Sequence, residues 1–154
     1  MDILALIISI AIAQAAGIIG SIFTVKSIAT WYAELSKPSW NPPGWVFAPV
    51  WTVLYTLMGI ASYLVWQKSG TEQMSLAFAV YGIHLILNTL WSIIFFGVQK
   101  PGLAFAEILI LLVFVLWTAV LFFMIDPVAG LLLIPYLLWV SFASVLNYTL
   151  WRLN

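Results

Sequence analysis

The sequence predicts an all-α integral membrane protein, built as a single bundle of five transmembrane helices. Charged residues make up 6% of the 154-residue chain and hydrophobic residues 65%, and the mean hydropathy is +1.15. This composition leaves too little polar surface to cover a water-soluble domain. The apolar residues also fall into five long stretches, and a helix needs about 20 such residues to cross the hydrocarbon core of a bilayer.

The five stretches occupy nearly the whole chain. They run over residues 3–25, 44–66, 73–98, 102–125 and 128–151. A transmembrane β-barrel would instead show shorter segments of alternating polarity. Because no room remains for a soluble domain, residues 1–154 are predicted to form one transmembrane domain.

The connections between the stretches differ in length and composition. The second, around Ser69 and Gly70, and the two that follow it are short, so we expect each pair of helices that they join to be antiparallel neighbours. The first connection, residues 26–43, is long and rich in Trp, Tyr and Pro. It is too apolar for a solvated linker, and two alternatives stay open: a lid folded over the bundle, or a segment lying flat on the headgroups.

Basic residues in the loops predict the orientation. One side of the membrane carries four of them, and the other side carries only Lys68. The four are Lys26, Lys37, Lys100 and Arg152. The positive-inside rule therefore predicts a cytoplasmic C-terminus and an N-terminus outside.

Small residues recur at helical spacing in two stretches. The first stretch contains Ala13, Gly17, Gly20 and Ser21, which would allow another helix or a flat ligand to approach its backbone. The third contains a weaker pattern, Ser75, Ala79 and Gly82, which could form a homodimer seam.

Polar and aromatic residues within the stretches are candidates for function, because polar groups are costly in the membrane. Helical periodicity places members of each of three sets on one face of a helix. The sets are Trp51 and Tyr55 in the second stretch, His84, Asn88 and Trp91 in the third, and Trp139, Ala143, Leu146 and Asn147 in the fifth. Alternatively, His84 is a core residue, and Asn88 and Asn147 are interhelical hydrogen-bonding groups.

These residues are predicted to meet in one cavity beneath the first connection. Such a cavity suits a large, flat, mostly apolar ligand. A net charge of zero gives no indication of a nucleic-acid partner, and the absence of Cys excludes thiolate chemistry. With a single His, we expect no metal site.

Several motifs resemble those of the translocator protein family, also called tryptophan-rich sensory proteins or peripheral-type benzodiazepine receptors. The most specific is Trp40-Asn41-Pro42-Pro43-Gly44-Trp45-Val46-Phe47-Ala48-Pro49-Val50-Trp51. Others are Leu87-Asn88-Thr89-Leu90-Trp91, Pro135-Tyr136-Leu137-Leu138-Trp139 and Leu146-Asn147-Tyr148-Thr149-Leu150-Trp151-Arg152. The resemblance covers essentially the whole chain and is closest to bacterial members, which implies a bacterial cell membrane.

The resemblance implies a five-helix protein, commonly a homodimer, that binds protoporphyrin IX and heme. It also implies binding of benzodiazepine and isoquinoline carboxamide drugs in the same cavity. The tetrapyrrole would be ligand or substrate, with no resident cofactor. Trp51 and Trp139 match the tryptophans associated with light-dependent oxidative breakdown of the porphyrin. Whether the chain is such an enzyme, or a carrier or sensor of tetrapyrroles or sterols without chemistry, stays open at this point.

The predicted ligand-binding residues number eleven: nine are implied by the resemblance, and Tyr55 and His84 come from the helix faces described above. These are Gly17, Ser21, Tyr32, Trp51, Tyr55, His84, Asn88, Trp91, Trp139, Ala143 and Leu146. Leu146, Tyr148 and Arg152 fit a proposed cholesterol pattern, but Tyr148 and Arg152 are equally consistent with anchors at the membrane interface.

Overall fold

A computed structural model describes residues 2–68, 70 and 73–154, which form helices and connecting segments with no strand. The elements are α1 (Ile3–Ile28), α2 (Trp31–Glu34), α3 (Gly44–Gln67), α4 (Met74–Ser92), a π-helical turn (Ile93–Gly97), α5 (Pro101–Ile125), α6 (Pro127–Leu132) and α7 (Ile134–Leu153). Ser69 lies outside the described residues, so the short connection expected there is not described.

Five helical segments are long and apolar enough to cross a membrane. They are α1, α3, α4 with the π-helical turn, α5, and α6 with α7, and they contain 24 to 27 residues each. The predicted fold class, an all-α bundle of five transmembrane helices, is confirmed.

Local sequence explains where several helices begin and end. Asp2 caps α1, because its Oδ1 accepts the N–H of Ala5 at 3.1 Å. Asp126 caps α6 in the same way, accepting from Val128 and Ala129. The fifth span is interrupted at Leu133. Pro135 explains this break, because it has no N–H and its ring crowds the carbonyl one turn earlier.

The packing order differs from the chain order in one place. As expected from their short connections, α4 packs against α5 and α5 against α6 and α7. However, α3 and α4 touch over only a short length, because α1 packs against both of them. The expectation that these two helices are close neighbours is wrong, since the long N-terminal helix occupies the place between them.

The bundle is closed on its other side by α6 rather than α7. α3 packs against α6, and Gly130 of α6 lies against Phe123, where a Cβ would overlap the Phe123 backbone. Beyond Leu133, α7 diverges from α3. This divergence leaves space between α3 and α7 in the half of the bundle nearest the first connection.

The first connection is folded against this half of the bundle. Tyr32 of α2 is 6% exposed, and its ring lies 6.2 Å from Phe95 and 5.7 Å from Phe96. The Ser36 backbone and the Asn154 side chain exchange two hydrogen bonds of 2.8 and 3.0 Å. The connection is therefore held to both the π-helical turn and the C-terminus, and its role as a lid remains a prediction.

Candidate ligand-binding cavity

A cavity of about 450 Å³ occupies the space between the diverging helices, beneath α2. Its wall comes from α1, α2, α3, the end of α4 with the π-helical turn, and α7. The lining residues are Gln14, Gly17, Ile18, Ser21, Thr24, Val25, Ile28, Tyr32, Gly44, Phe47, Ala48, Trp51, Thr52, Tyr55, Trp91, Ser92, Phe95, Phe96, Trp139, Ala143, Leu146, Asn147 and Leu150.

Nine of the eleven predicted ligand-binding residues lie on this wall. They are Gly17, Ser21, Tyr32, Trp51, Tyr55, Trp91, Trp139, Ala143 and Leu146. Residues distant in the sequence are thus brought together around one space, which is the arrangement that a common ligand requires. Their contact with a ligand stays a prediction.

His84 lies elsewhere, in the core of the bundle. It is fully buried, with Nδ1 3.2 Å from Thr118 Oγ1 of α5 and its ring between those of Tyr81 and Tyr136. Helical spacing placed His84 on the face of Trp91, but that face turns towards α5 at this depth. The structure therefore places His84 outside the cavity wall.

Asn88 also lies behind the wall, where it joins two tyrosines. The Tyr55 hydroxyl donates to Asn88 Oδ1, and Asn88 Nδ2 donates to the Tyr136 hydroxyl at 2.8 Å. All three residues are buried. Asn88 thus connects α3, α4 and α7, as the interhelical alternative predicts, and only Tyr55 of the three lines the cavity.

Trp51 and Trp139 face each other across a corner of the cavity. Their ring centroids are 6.4 Å apart and their planes are perpendicular. Trp51 is also stacked on Tyr55 at 5.5 Å and meets the edge of Tyr136 at 6.1 Å. Within the described part of the chain, neither indole N–H donates a hydrogen bond, so both donors are free to meet a polar atom of a ligand.

Trp91 is held differently from these two tryptophans. Its Nε1 donates to Asn147 Oδ1 at 2.9 Å, while Asn147 Nδ2 donates to the Pro101 carbonyl at 2.7 Å. Its ring is stacked on Phe95 at 5.2 Å. Trp91 therefore presents an apolar ring to the cavity and has no free N–H donor.

The cavity opens sideways between α1 and α3. Ile18 and Val25 line it and are 63% and 70% exposed, and Ala48 and Thr52 on the facing helix are exposed as well. In a membrane this seam faces lipid. At the end of the seam furthest from α2, Gln14 Nε2 donates to the Thr52 carbonyl and to Thr56 Oγ1, both at 3.0 Å.

Sequence reasoning missed several wall residues, including Gln14, Thr52 and Phe47. Gln14 could have been found, because it is the only amide side chain in the apolar α1. Phe47 could have been found as well, because it lies one turn before Trp51 on the same face of α3. Thr52 carries no comparable signal, since its exposure to the cavity depends on the angle between α1 and α3.

The first connection contributes Tyr32 in a neutral state. Burial raises the pKa of Tyr32 above its usual value. The Tyr32 hydroxyl donates to Asn41 Oδ1 at 3.0 Å, and Lys37 Nζ lies 4.9 Å from the ring centroid. Tyr32 thus supplies an aromatic surface above the cavity, with its hydroxyl engaged within the connection.

The proposed cholesterol pattern does not form one surface. Leu146 is 5% exposed and lines the cavity, whereas Tyr148 is 45% exposed and packs against Phe105 with ring centroids 5.2 Å apart. Residues two apart on a helix point in different directions.

The chemistry of the wall is that of an aromatic binding site. The residues that the structure describes contain no group of three or more His, Cys, Asp or Glu side chains arranged to hold a metal ion. Aromatic rings, small side chains and two free indole donors are suited to a flat ligand with a few polar atoms.

Comparisons with known proteins agree with this architecture. The profile of the TspO/MBR family matches residues 9–152. The tryptophan-rich protein TspO of Chlorobaculum tepidum is 43% identical, over 99% of this chain and 98% of its own length. The tryptophan-rich protein TspO of Archaeoglobus fulgidus is 44% identical, over 100% of this chain and 99% of its own length. The human translocator protein is 43% identical, over 88% of this chain and 82% of its own length.

The match extends through all five spans. This chain therefore belongs to the TspO/MBR family.

Proposed function

We propose that this protein binds protoporphyrin IX or heme in the cavity and promotes the light-dependent oxidative degradation of protoporphyrin IX. The observation that carries the proposal is the pair of perpendicular indoles, Trp51 and Trp139, 6.4 Å apart on the wall of one aromatic cavity. A tetrapyrrole placed there would contact both rings.

The protein would supply position and a site shielded from water, and the ligand would supply the reactivity. Light excites the bound porphyrin, and an adjacent indole is close enough to exchange an electron with it. Molecular oxygen is the oxidant: the macrocycle is oxidised, oxygen is reduced, and the indole regains its starting state. Tyr32 and Trp91 would orient the macrocycle, and the first connection would control access.

The same cavity is proposed to bind benzodiazepine and isoquinoline carboxamide drugs. Such molecules combine flat aromatic rings with one or two carbonyl groups. The free N–H groups of Trp51 and Trp139 are suited to those carbonyls, while the remaining wall provides apolar contact. Competition between a drug and protoporphyrin IX for one site tests this assignment.

The test of the main proposal uses the purified protein in detergent with protoporphyrin IX. Tryptophan fluorescence is followed in the dark, and porphyrin absorbance is then followed under illumination. Saturable quenching in the dark, then loss of the porphyrin bands faster than in a detergent blank, is the expected result. Absence of quenching would contradict tetrapyrrole binding.

A second candidate is a carrier or sensor that binds the tetrapyrrole without changing it. The seam between α1 and α3 favours this alternative, because a ligand dissolved in the membrane could pass through it directly. Quenching with a stable porphyrin spectrum under light would support the second candidate. Sealed vesicles containing the protein would then be tested for uptake of unchanged porphyrin.

We further propose that the protein is a homodimer in the membrane. Ser75 and Ala79 of α4 are exposed, and a Cβ added to Gly82 would meet no atom within 4 Å. This stripe of small residues therefore faces away from the bundle. Cross-linking of a cysteine placed at Ala79, compared with one placed at Val113 on α5, tests the interface.

A further inference from the structure

A second, smaller pocket lies on the opposite side of Phe96 from the main cavity. We call it the headgroup niche. It has a volume of about 230 Å³ and is lined by Phe23, Lys26, Ser27, Phe96, Gly97 and Gln99. Phe96 also lines the main cavity, so its ring separates the two spaces.

The niche lies where two spans end on the same side of the bundle. Lys26 and Ser27 belong to the last turn of α1, and Gly97 is the last residue of the π-helical turn. A helix of 26 residues is about 39 Å long and exceeds a hydrocarbon core of about 30 Å. The ends of these spans therefore lie at the depth of the lipid headgroups.

The wall of the niche carries one buried hydroxyl without a partner in the described part of the chain. The negative ends of two helix dipoles meet here, although the carbonyl groups of Lys26, Ser27 and Ile93 already accept hydrogen bonds from Thr30 and Val98. Ser27 is 4% exposed, and its Oγ has no hydrogen-bond partner within the described residues. A ligand with an N–H donor and a positive charge would satisfy the Ser27 hydroxyl and interact favourably with the two dipoles.

The backbone next to the niche adopts a conformation that is unfavourable for its sequence. Gln99 has a φ of 60°, in the left-handed region that disfavours residues other than Gly. This conformation turns the chain out of the π-helical turn and leaves the Gln99 side chain on the wall of the niche. The Gln99 amide can both donate and accept hydrogen bonds.

The rim of the niche carries one cation. Lys26 is exposed, and the ion pair found among the described residues, Lys68 with Asp126, lies at the opposite end of the bundle. Lys26 therefore has no carboxylate within salt-bridge distance in that part of the chain. An anionic group held at the rim would fit beside an ammonium group held inside.

We propose that the headgroup niche binds the phosphoethanolamine headgroup of a glycerophospholipid. The lipid ammonium donates to Ser27 Oγ at the negative ends of the two helix dipoles, and the phosphate pairs with Lys26. The rings of Phe23 and Phe96 pack against the glycerol and the first acyl carbons. A choline headgroup has no N–H to donate, and a glycerol headgroup has no positive charge.

Native mass spectrometry of the detergent-purified protein tests this assignment. The probes are phosphatidylethanolamine, phosphatidylcholine and phosphatidylglycerol with identical acyl chains. Phosphatidylethanolamine is expected to bind about tenfold more tightly than the other two, since tenfold in affinity corresponds to about one charge-assisted hydrogen bond. Soluble O-phosphoethanolamine is added as a competitor, and its displacement of the lipid shows that the headgroup is the group recognised.

Two variants locate the site. Ser27→Ala and Lys26→Gln are each expected to weaken phosphatidylethanolamine binding severalfold, whereas Lys100→Gln, which changes an exposed lysine outside the niche, should not. An unchanged melting temperature in detergent shows that the variants are folded. Equal binding of the three lipids, or equal loss in Lys26→Gln and Lys100→Gln, would overturn the proposal.

Discussion

The two halves of this bundle are built from the same five spans but differ in how closely those spans approach. In the half near the N-terminus, α1 and α3 meet at Gly59, where a Cβ would overlap the Ile10 backbone. In the half beneath α2, the bulky rings of Trp51 and Trp139 stand between α3 and α7. Gly59 thus lets α1 and α3 meet closely in one half, whereas the two indole rings and the break at Leu133 separate α3 from α7 in the other.

We infer that the shape of the cavity depends on helix packing in the closed half. The closed half fixes the helix axes through glycine contacts and through the cap at Asp2, whose N–H donates to the Tyr63 hydroxyl at 2.9 Å. The open half can then hold separated helices without collapsing. Stability and ligand binding should therefore respond to different substitutions.

The largest effect on stability is expected from a substitution that disrupts helix packing in the closed half. Gly59→Ala places a methyl group against the backbone of α1, and overpacking of this kind costs about 1–3 kcal/mol. The melting temperature in detergent should fall. Gly44→Ala is the matched control, because its Cβ would meet only the Ile28 side chain at 4.0 Å, an ordinary van der Waals contact. Equal melting temperatures for the two variants would contradict this interpretation.

The next largest effect is expected at Asn88, whose side chain joins α3, α4 and α7 through hydrogen bonds. Asn88→Leu leaves the buried hydroxyls of Tyr55 and Tyr136 without their partner, at a cost of about 1–3 kcal/mol. Tyr136→Phe removes one bond only and should cost less. Thermal unfolding of both variants checks the order, and the reverse order would mean that Asn88 does not join the two tyrosines.

A smaller effect distinguishes Trp91 from Trp139, which line the same cavity. Trp91→Phe removes a hydrogen bond to Asn147 and should lower stability by about 1 kcal/mol. The indole N–H of Trp139 has no partner in the described residues, so Trp139→Phe should change ligand affinity more than stability. A stability loss as large in Trp139→Phe as in Trp91→Phe would argue against a free indole donor.

The smallest effect involves the first connection. Because burial raises the pKa of Tyr32 when the protein is folded, its contribution to stability is complete below a pH of about 10, the value expected in the unfolded chain. That contribution is lost as the pH rises through the folded pKa. In the folded protein, the tyrosinate absorbance of the wild type should therefore exceed that of Tyr32→Phe only above pH 10. Titration of Tyr32 below pH 10 would contradict its burial.

Most of the fold was predictable, because hydropathy and span length depend only on local sequence. The bounds of α3, for example, differ from the predicted stretch by one residue. The position of α1 between α3 and α4 was not predictable, since short connections constrain sequential neighbours and say nothing of the first span. Several wall residues were predictable from helical spacing as well as from the resemblance, since Tyr55, Trp91 and Asn147 lie on the predicted faces and line the cavity.

His84 and Asn88 show why helical spacing alone does not place a side chain in a site. Both share a face with Trp91, but that face contacts α5 and α7 at the depth of His84 and reaches the cavity only one turn beyond Asn88. The partners Thr118 and Tyr136 are distant in sequence, so their contacts depend on the helix packing.

The most direct test of the account compares two variants under illumination with protoporphyrin IX. The double variant Trp51→Phe, Trp139→Phe removes both cavity indoles, and Trp117→Phe removes one that is 44% exposed and does not line the cavity. We expect the porphyrin bands to persist under light with the double variant and to disappear with Trp117→Phe, as they do with the wild type. Degradation by the double variant at the wild-type rate would contradict the role of the two tryptophans.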